Sequence, residues 1–134
     1  MSQFWKKDYE LGFRLIDAQH QKYAETLDKL NSAIRANNRN DILLEVFDGL
    51  TSYINIHFET EEKYFAEFDY PDAEKHILKH REFISTISVY RDKLENGTLG
   101  FTFELIEYLE NWLVEHLSTM DKNYVACFRA HGLI

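Results

Sequence analysis

Five of the six histidines and two carboxylates fall on the apolar seams of four helix-like segments, in the order His20, His57-x-x-x-Glu61, His76-x-x-x-His80 and His116-x-x-x-x-Asp121. A helix seam faces the interior, where a protein least tolerates polar groups. One unpaired imidazole or carboxylate there costs kilocalories, and seven together would unfold a small domain unless something binds them all. The economical solution is a centre with room for two metal ions.

The seams are read from sustained helical periodicity. The first helix is expected from Asp17, as N-cap, to about Asn37, with Ile16, His20, Tyr23, Leu27, Leu30 and Ile34 facing in. The run from Asn37 to Asp41 breaks it, and Asp41 is available to cap the next helix. That helix runs from Ile42 to about Phe65, with Leu43, Phe47, Leu50, Ile54, His57, Glu61, Tyr64 and Phe68 inward. Pro71 suits the first turn of the third helix, whose seam is Ala73, His76, His80, Phe83, Ile87, Tyr90 and Leu94, and Gly97 ends it. The fourth runs from Thr102 to Cys127 through Leu105, Leu109, Trp112, His116, Met120 or Asp121, and Tyr124. Strand signals are weak. Helices of about 20–25 residues, roughly 30–38 Å long, with short joints imply an all-α fold, an up-down-up-down antiparallel four-helix bundle. Residues 1–134 form one domain, with 1–16 an N-terminal arm carrying Phe4, Trp5, Tyr9 and Phe13, and 17–128 the bundle.

Each motif is weak alone. A His-x-x-x-Glu or His-x-x-x-His pair shares one helical face, as pairs do by chance in many helices. The i,i+5 spacing of His116 and Asp121 leaves them about 140° apart around a regular helix. Their conjunction is what counts. The seven groups lie early in helices one and three and late in helices two and four, positions that coincide at one end of an antiparallel bundle.

Five imidazoles and two carboxylates exceed one tetrahedral zinc site, and iron accepts such nitrogen and oxygen donors. Carboxylates can bridge two ions and imidazoles cannot. Five terminal histidines therefore divide as three and two, and the two-histidine ion keeps an open position.

The chain resembles the hemerythrin family, in its single-domain bacterial form. The likeness spans Trp5…Tyr9-Glu10-Leu11-Gly12…Ile16-Asp17-Ala18-Gln19-His20, His57-Phe58-x-x-Glu61, His76-x-x-x-His80 and Trp112-Leu113-x-x-His116-x-x-x-x-Asp121-x-x-Tyr124. The resemblance implies two non-haem iron ions, one on His76, His80 and His116 and the other on His20 and His57. Glu61 and Asp121 would bridge them with an oxo or hydroxo group. It also implies reversible dioxygen binding at the two-histidine iron, with Leu113 overhanging the pocket and Phe58 and Ile54 lining it.

Other residues read more plainly. Tyr124 is a buried neighbour of the site, Asp17 a helix cap, Cys127 a small core residue and His131 an exposed histidine. Glu59, Glu62 and Glu115 are placed on other faces. The net charge of −8 argues against nucleic-acid or anionic-membrane partners. No apolar run approaches a bilayer span and no signal core follows the N-terminus. With a single cysteine, a cytoplasmic protein is expected. The expected function is oxygen storage, delivery or buffering and not enzymatic. The alternatives are oxygen or redox sensing through a protein client, and a di-iron oxidase or peroxidase.

Overall fold

The computed structural model describes residues 2–36, 40–97 and 102–134. Four long helical segments make the bundle: α1 (Arg14–Arg35), α2 (Asn40–Glu67), α3 (Ala73–Glu95) and a fourth that begins as α4 (Thr102–Glu115). The fourth segment is not one continuous α-helix. After Glu115 it widens into a π turn over His116–Met120, tightens to a 3-10 turn over Asp121–Tyr124, and ends as α5 (Val125–Ala130).

The seams expected from the sequence form the interior of the bundle, with local shifts. All six inward positions of α1 are buried. On α2 the burial drifts from Tyr64 to its neighbour Phe65, and on α4 Leu113 is buried while Trp112 is only half-buried. A straight helix of 3.6 residues per turn rotates slowly against a seven-residue pattern, so the buried face moves by one position along a long helix.

Helix ends depart from the expectations by a few residues. Phe13, not Asp17, is the N-cap of α1. Asp17 still does capping work from inside the helix, because its carboxylate accepts the backbone N–H groups of Leu11 at 2.8 Å and Gly12 at 3.0 Å. Pro71 lies ahead of α3, whose N-cap is Asp72, since residues 71 and 72 form the preceding turn. Asp41 sits inside the first turn of α2, and residues 37–39 of the expected break lie outside the described residues. Gly97 does end α3: its φ is 71°, a conformation that suits glycine after a helix, and its N–H reaches the Leu94 carbonyl at 3.2 Å.

The arm packs on the bundle, burying Trp5, Tyr9, Leu11 and Phe13. Gly12 is its tight point, with φ at 93°. A Cβ there would stand 2.9 Å from the Arg129 guanidinium, which donates to the Leu11 carbonyl at 3.2 Å. The arm is thus tied to α1 by Asp17 and to α5 by Arg129.

Two apolar clusters divide the interior. The larger fills the long barrel of the bundle from Tyr23, Ala24 and Phe58 to Leu94 and Leu105. The smaller, built from Leu11, Phe13, Ile16, Phe65, Tyr70, Tyr124 and Phe128, closes one end. Between Ile16 and Tyr23 comes His20, between Phe58 and Phe65 comes Glu61, and between Leu117 and Tyr124 comes Asp121. The polar residues therefore form a layer sealed above and below by hydrocarbon. Cys127 lies at the margin of the smaller cluster, half-buried and not a full core residue. His131 is exposed as expected, its ring stacked on Phe68 at 4.8 Å.

Candidate metal centre

All seven predicted ligands are buried, at 6% exposure or less, and Glu61 and Asp121 are at 0%. Their donor atoms converge from four helical segments. Asp121 Oδ1 lies 2.9 Å from His116 Nε2 and 3.0 Å from His76 Nε2, while Asp121 Oδ2 lies 2.9 Å from His20 Nε2. Glu61 Oε1 stands 3.1 Å from both His57 Nε2 and His80 Nε2, and 3.6 and 3.7 Å from those of His116 and His76.

The π turn solves the spacing problem of the fourth segment. Its backbone N–H at Asp121 bonds to the His116 carbonyl five residues back. The wider turn brings both side chains to the same face. The Thr119 hydroxyl bonds to the Glu115 carbonyl at the same place, offering the backbone a local alternative to regular helix. Such single π turns often mark functional sites.

Two groups of donors could each hold a metal ion: Glu61 with His76, His80 and His116, and His20 and His57 with Glu61 and Asp121. The donor chemistry fits that use. His20 Nε2 and His57 Nε2 are 2.8 Å apart, and His76 Nε2 and His116 Nε2 are 3.2 Å apart. Two nitrogens at right angles on one ion with bonds of about 2.1 Å would be separated by about 3.0 Å. Glu61 Oε2 and both Asp121 oxygens meet no donor in hydrogen-bond geometry despite complete burial. A bound cation would satisfy buried acceptors left that way.

Charge is heavily perturbed in the protein alone. Burial works against Glu61 ionising, but His57, His116 and His76 around it hold its carboxyl well below the ordinary range. Asp121 is likewise held low by His116 and His20, against both burial and the nearby Glu61. Burial alone would lower His116. Asp121 and then Glu61 outweigh it and raise the imidazole to about 10. His76 is raised by the same two carboxylates. His20 goes the other way, lowered first by burial and then by His57. Binding a cation must therefore expel protons from the raised imidazoles.

Sequence reasoning missed the residues that orient the ligands. Glu62 does not face away from the site: its Oε2 is 3.0 Å from His80 Nδ1. It follows Glu61 on α2, and the one-residue rotation carries it to the flank facing α3. Gln19 Oε1 is 2.8 Å from His57 Nδ1, and the Gln19 amide nitrogen donates to Thr60 Oγ1 at 3.0 Å. The adjacency of Gln19 to His20 and of Glu62 to Glu61 was the only available signal.

The predicted pocket residues do meet. Ile54, Phe58 and Leu113, all buried at 3% or less, line a cavity with His20, His57 and His116. Its volume is about 10 Å³, roughly that needed for the centre of one water-sized molecule. Phe58 also lies flat on His80, with ring centres 3.7 Å apart. On the opposite flank, an open groove of about 190 Å³ between α3 and α4 exposes part of Trp112. That indole stacks on His116 at 4.2 Å. Tyr124, fully buried with its hydroxyl unpartnered, is pushed well above the usual tyrosine pKa, first by burial and then by Asp121 and Glu61.

Residues 11–128 match the family model described as the hemerythrin HHE cation binding domain. The chain belongs to the hemerythrin family. Among hemerythrin relatives, the bacteriohemerythrin of Stenotrophomonas maltophilia is 32% identical over 127 residues, covering 95% of this chain and 82% of that protein. The bacteriohemerythrin of Clostridium acetobutylicum is 26% identical over 125 residues, covering 90% and 97%. A wild-type hemerythrin crystal structure superposes with a TM-score of 0.78 at 24% identity, covering 86% of this chain and 88% of the other. A mutant hemerythrin reaches 0.84 at 23% identity, covering 95% and 98%. These structures support the helical-bundle hemerythrin fold. Among the described residues, no helix is long and apolar enough to cross a membrane.

Proposed function

We propose that this hemerythrin binds dioxygen reversibly at a non-haem di-iron centre. His76, His80 and His116 would hold one iron and His20 and His57 the other, with Glu61 and Asp121 shared between them. Bound there, two irons would supply the two electrons that reversible dioxygen binding uses.

The observation that carries the reading is the placement of the cavity. It lies against His20 and His57, the pair with fewer donors, and also touches His116, and it suits a molecule no larger than dioxygen. Ile54, Phe58 and Leu113 wall it with hydrocarbon, which keeps bulk water and protons from the reacting face. Gln19 and Phe58 fix the rings of His57 and His80, so the donor set keeps its shape whether or not the cavity is filled. A substrate-sized organic molecule would not fit beside His20 and His57 without displacing that wall, which supports a carrier over an oxidase.

The test is metal analysis of the purified protein with optical spectra of the reduced form before and after air. Two irons per chain, with an air-induced band that disappears under vacuum, are expected. One metal per chain, zinc in both positions, or a band that only turns over with added reductant would overturn the reading.

A further inference from the structure

Two histidines on opposite halves of the centre are aimed by partners of different charge. Each ring nitrogen of His80 faces a carboxylate: Nε2 is 3.1 Å from Glu61 Oε1 and Nδ1 is 3.0 Å from Glu62 Oε2. The Glu62 carboxylate can accept from Nδ1–H, which leaves Nε2 to bind a metal. His57 is aimed in the same sense by a neutral group. Thr60 Oγ1 donates to the Ile56 carbonyl at 3.0 Å and so accepts from the Gln19 amide nitrogen. The other end of that amide, Gln19 Oε1, must then accept from His57 Nδ1–H. This chain of donors fixes the tautomer of His57 and points its bare Nε2 inward.

The two acceptors differ in strength. A carboxylate makes a charge-assisted hydrogen bond, roughly twice as strong as a neutral one. Pulling on Nδ1–H, it makes the opposite nitrogen a more basic ligand, and partners of this kind are worth about 10–100-fold in metal affinity. The amide of Gln19 orients its ring but adds no charge. Glu62 has room to act this way: its side chain is 36% exposed while His80 is 1% exposed, so the carboxylate keeps water on its outer side.

We propose that Glu62 is a positioning residue that makes the site of Glu61, His76, His80 and His116 the tighter of the two, and that the contrast between Glu62 and Gln19 sets the order in which the ions are lost. This rests on the two-metal reading above.

Chelator competition on the reduced, iron-loaded protein tests it, with remaining iron measured at each chelator concentration. The parent should lose iron in two steps. Glu62→Gln keeps an acceptor but removes the charge, and should shift the later step about tenfold toward lower chelator while leaving the earlier one in place. Glu62→Ala should shift it further, toward about 100-fold. Gln19→Glu should move the earlier step the other way, so that the two converge. The reduction potential of the loaded protein should also rise in Glu62→Gln, since a less basic ligand stabilises ferric iron less. A later step within twofold of the parent in Glu62→Gln, or a shift of the earlier step instead, overturns the proposal. A parent holding a single ion overturns it together with the two-metal reading, whereas two ions with an unmoved Glu62→Gln sinks this inference alone.

Discussion

The two halves of the centre share their carboxylates but not their surroundings. The three-histidine half is packed by rings: Phe65 lies against His76 at 4.8 Å, Phe58 covers His80 at 3.7 Å, and Trp112 covers His116 at 4.2 Å. The two-histidine half meets the small apolar cavity and carries an unpartnered His20 Nδ1. Stacked rings brace the ligands and resist their motion, even where the open groove beside Trp112 reaches His116. A cavity instead leaves room for an incoming molecule. The contrast fits the proposed division, permanence in one half and exchange in the other, within a layer whose members are a few ångströms apart.

The largest effect should come from removing what the halves share. Glu61→Ala leaves four imidazoles without the oxygen that now sits 3.1–3.7 Å from their Nε2 atoms. Breaking a buried pair typically costs about 3–5 kcal/mol, so most of the iron and much of the thermal stability should go. Exposed Glu67 is the appropriate control, because Glu62 touches His80. Iron content and unfolding temperature in Glu61→Ala equal to those in Glu67→Ala would dissolve the shared-bridge picture.

Single alanine replacements of the histidines sharpen the contrast next. Loss of His76, His80 or His116 should chiefly lower iron retention. Replacement of His20 or His57 should keep part of the iron but abolish stable oxygen binding. Iron assays and air-exposed spectra of the five variants would show it, and equal iron loss in all five would erase the division.

A smaller effect is expected from pH on the metal-free protein. Glu61 and Asp121 have folded pKa values below their unfolded ones, so their contribution is present above about pH 4 and lost as pH falls further. His20 is lowered and likewise loses stability below about pH 6.5. His116 is raised to about 10, so its contribution is full below about pH 6.5 and is lost as pH rises toward its folded value. Denaturant midpoints should show a broad optimum between about pH 5 and 7. Loading with metal should remove the alkaline decline, because the ion takes the proton's place on His116. An alkaline decline that persists in the loaded protein would mean that His116 is not a ligand.

The smallest structural change is Leu113→Ala, which enlarges the cavity beside the two-histidine half and touches no ligand. Oxygen should still bind and iron content should stay at the parent level, but the oxygenated protein should autoxidise several-fold faster as water gains access. A decay rate equal to the parent's would make Leu113 ordinary core and place the barrier elsewhere.

Much of this arrangement was legible in the chain because helices convert spacing into direction. Ile16, His20, Tyr23 and Leu27 repeat at intervals that only one helical face satisfies, and the alternation of early and late ligands fixed which end of the bundle they share. What regular periodicity could not express, tertiary structure supplied. His116 and Asp121 are misaligned on an ideal helix, and the π turn that reunites them is a local rewinding, stabilised by the contacts of the whole layer. Glu62 and Gln19 were invisible for a related reason. A residue one step from a ligand points about 100° away, and whether it meets solvent or the back of a histidine depends on where the neighbouring helix lies. Residue order determined which atoms could bind metal. Only the packing of α1 and α3 against α2 decided that a carboxylate would stand behind His80 and an amide behind His57.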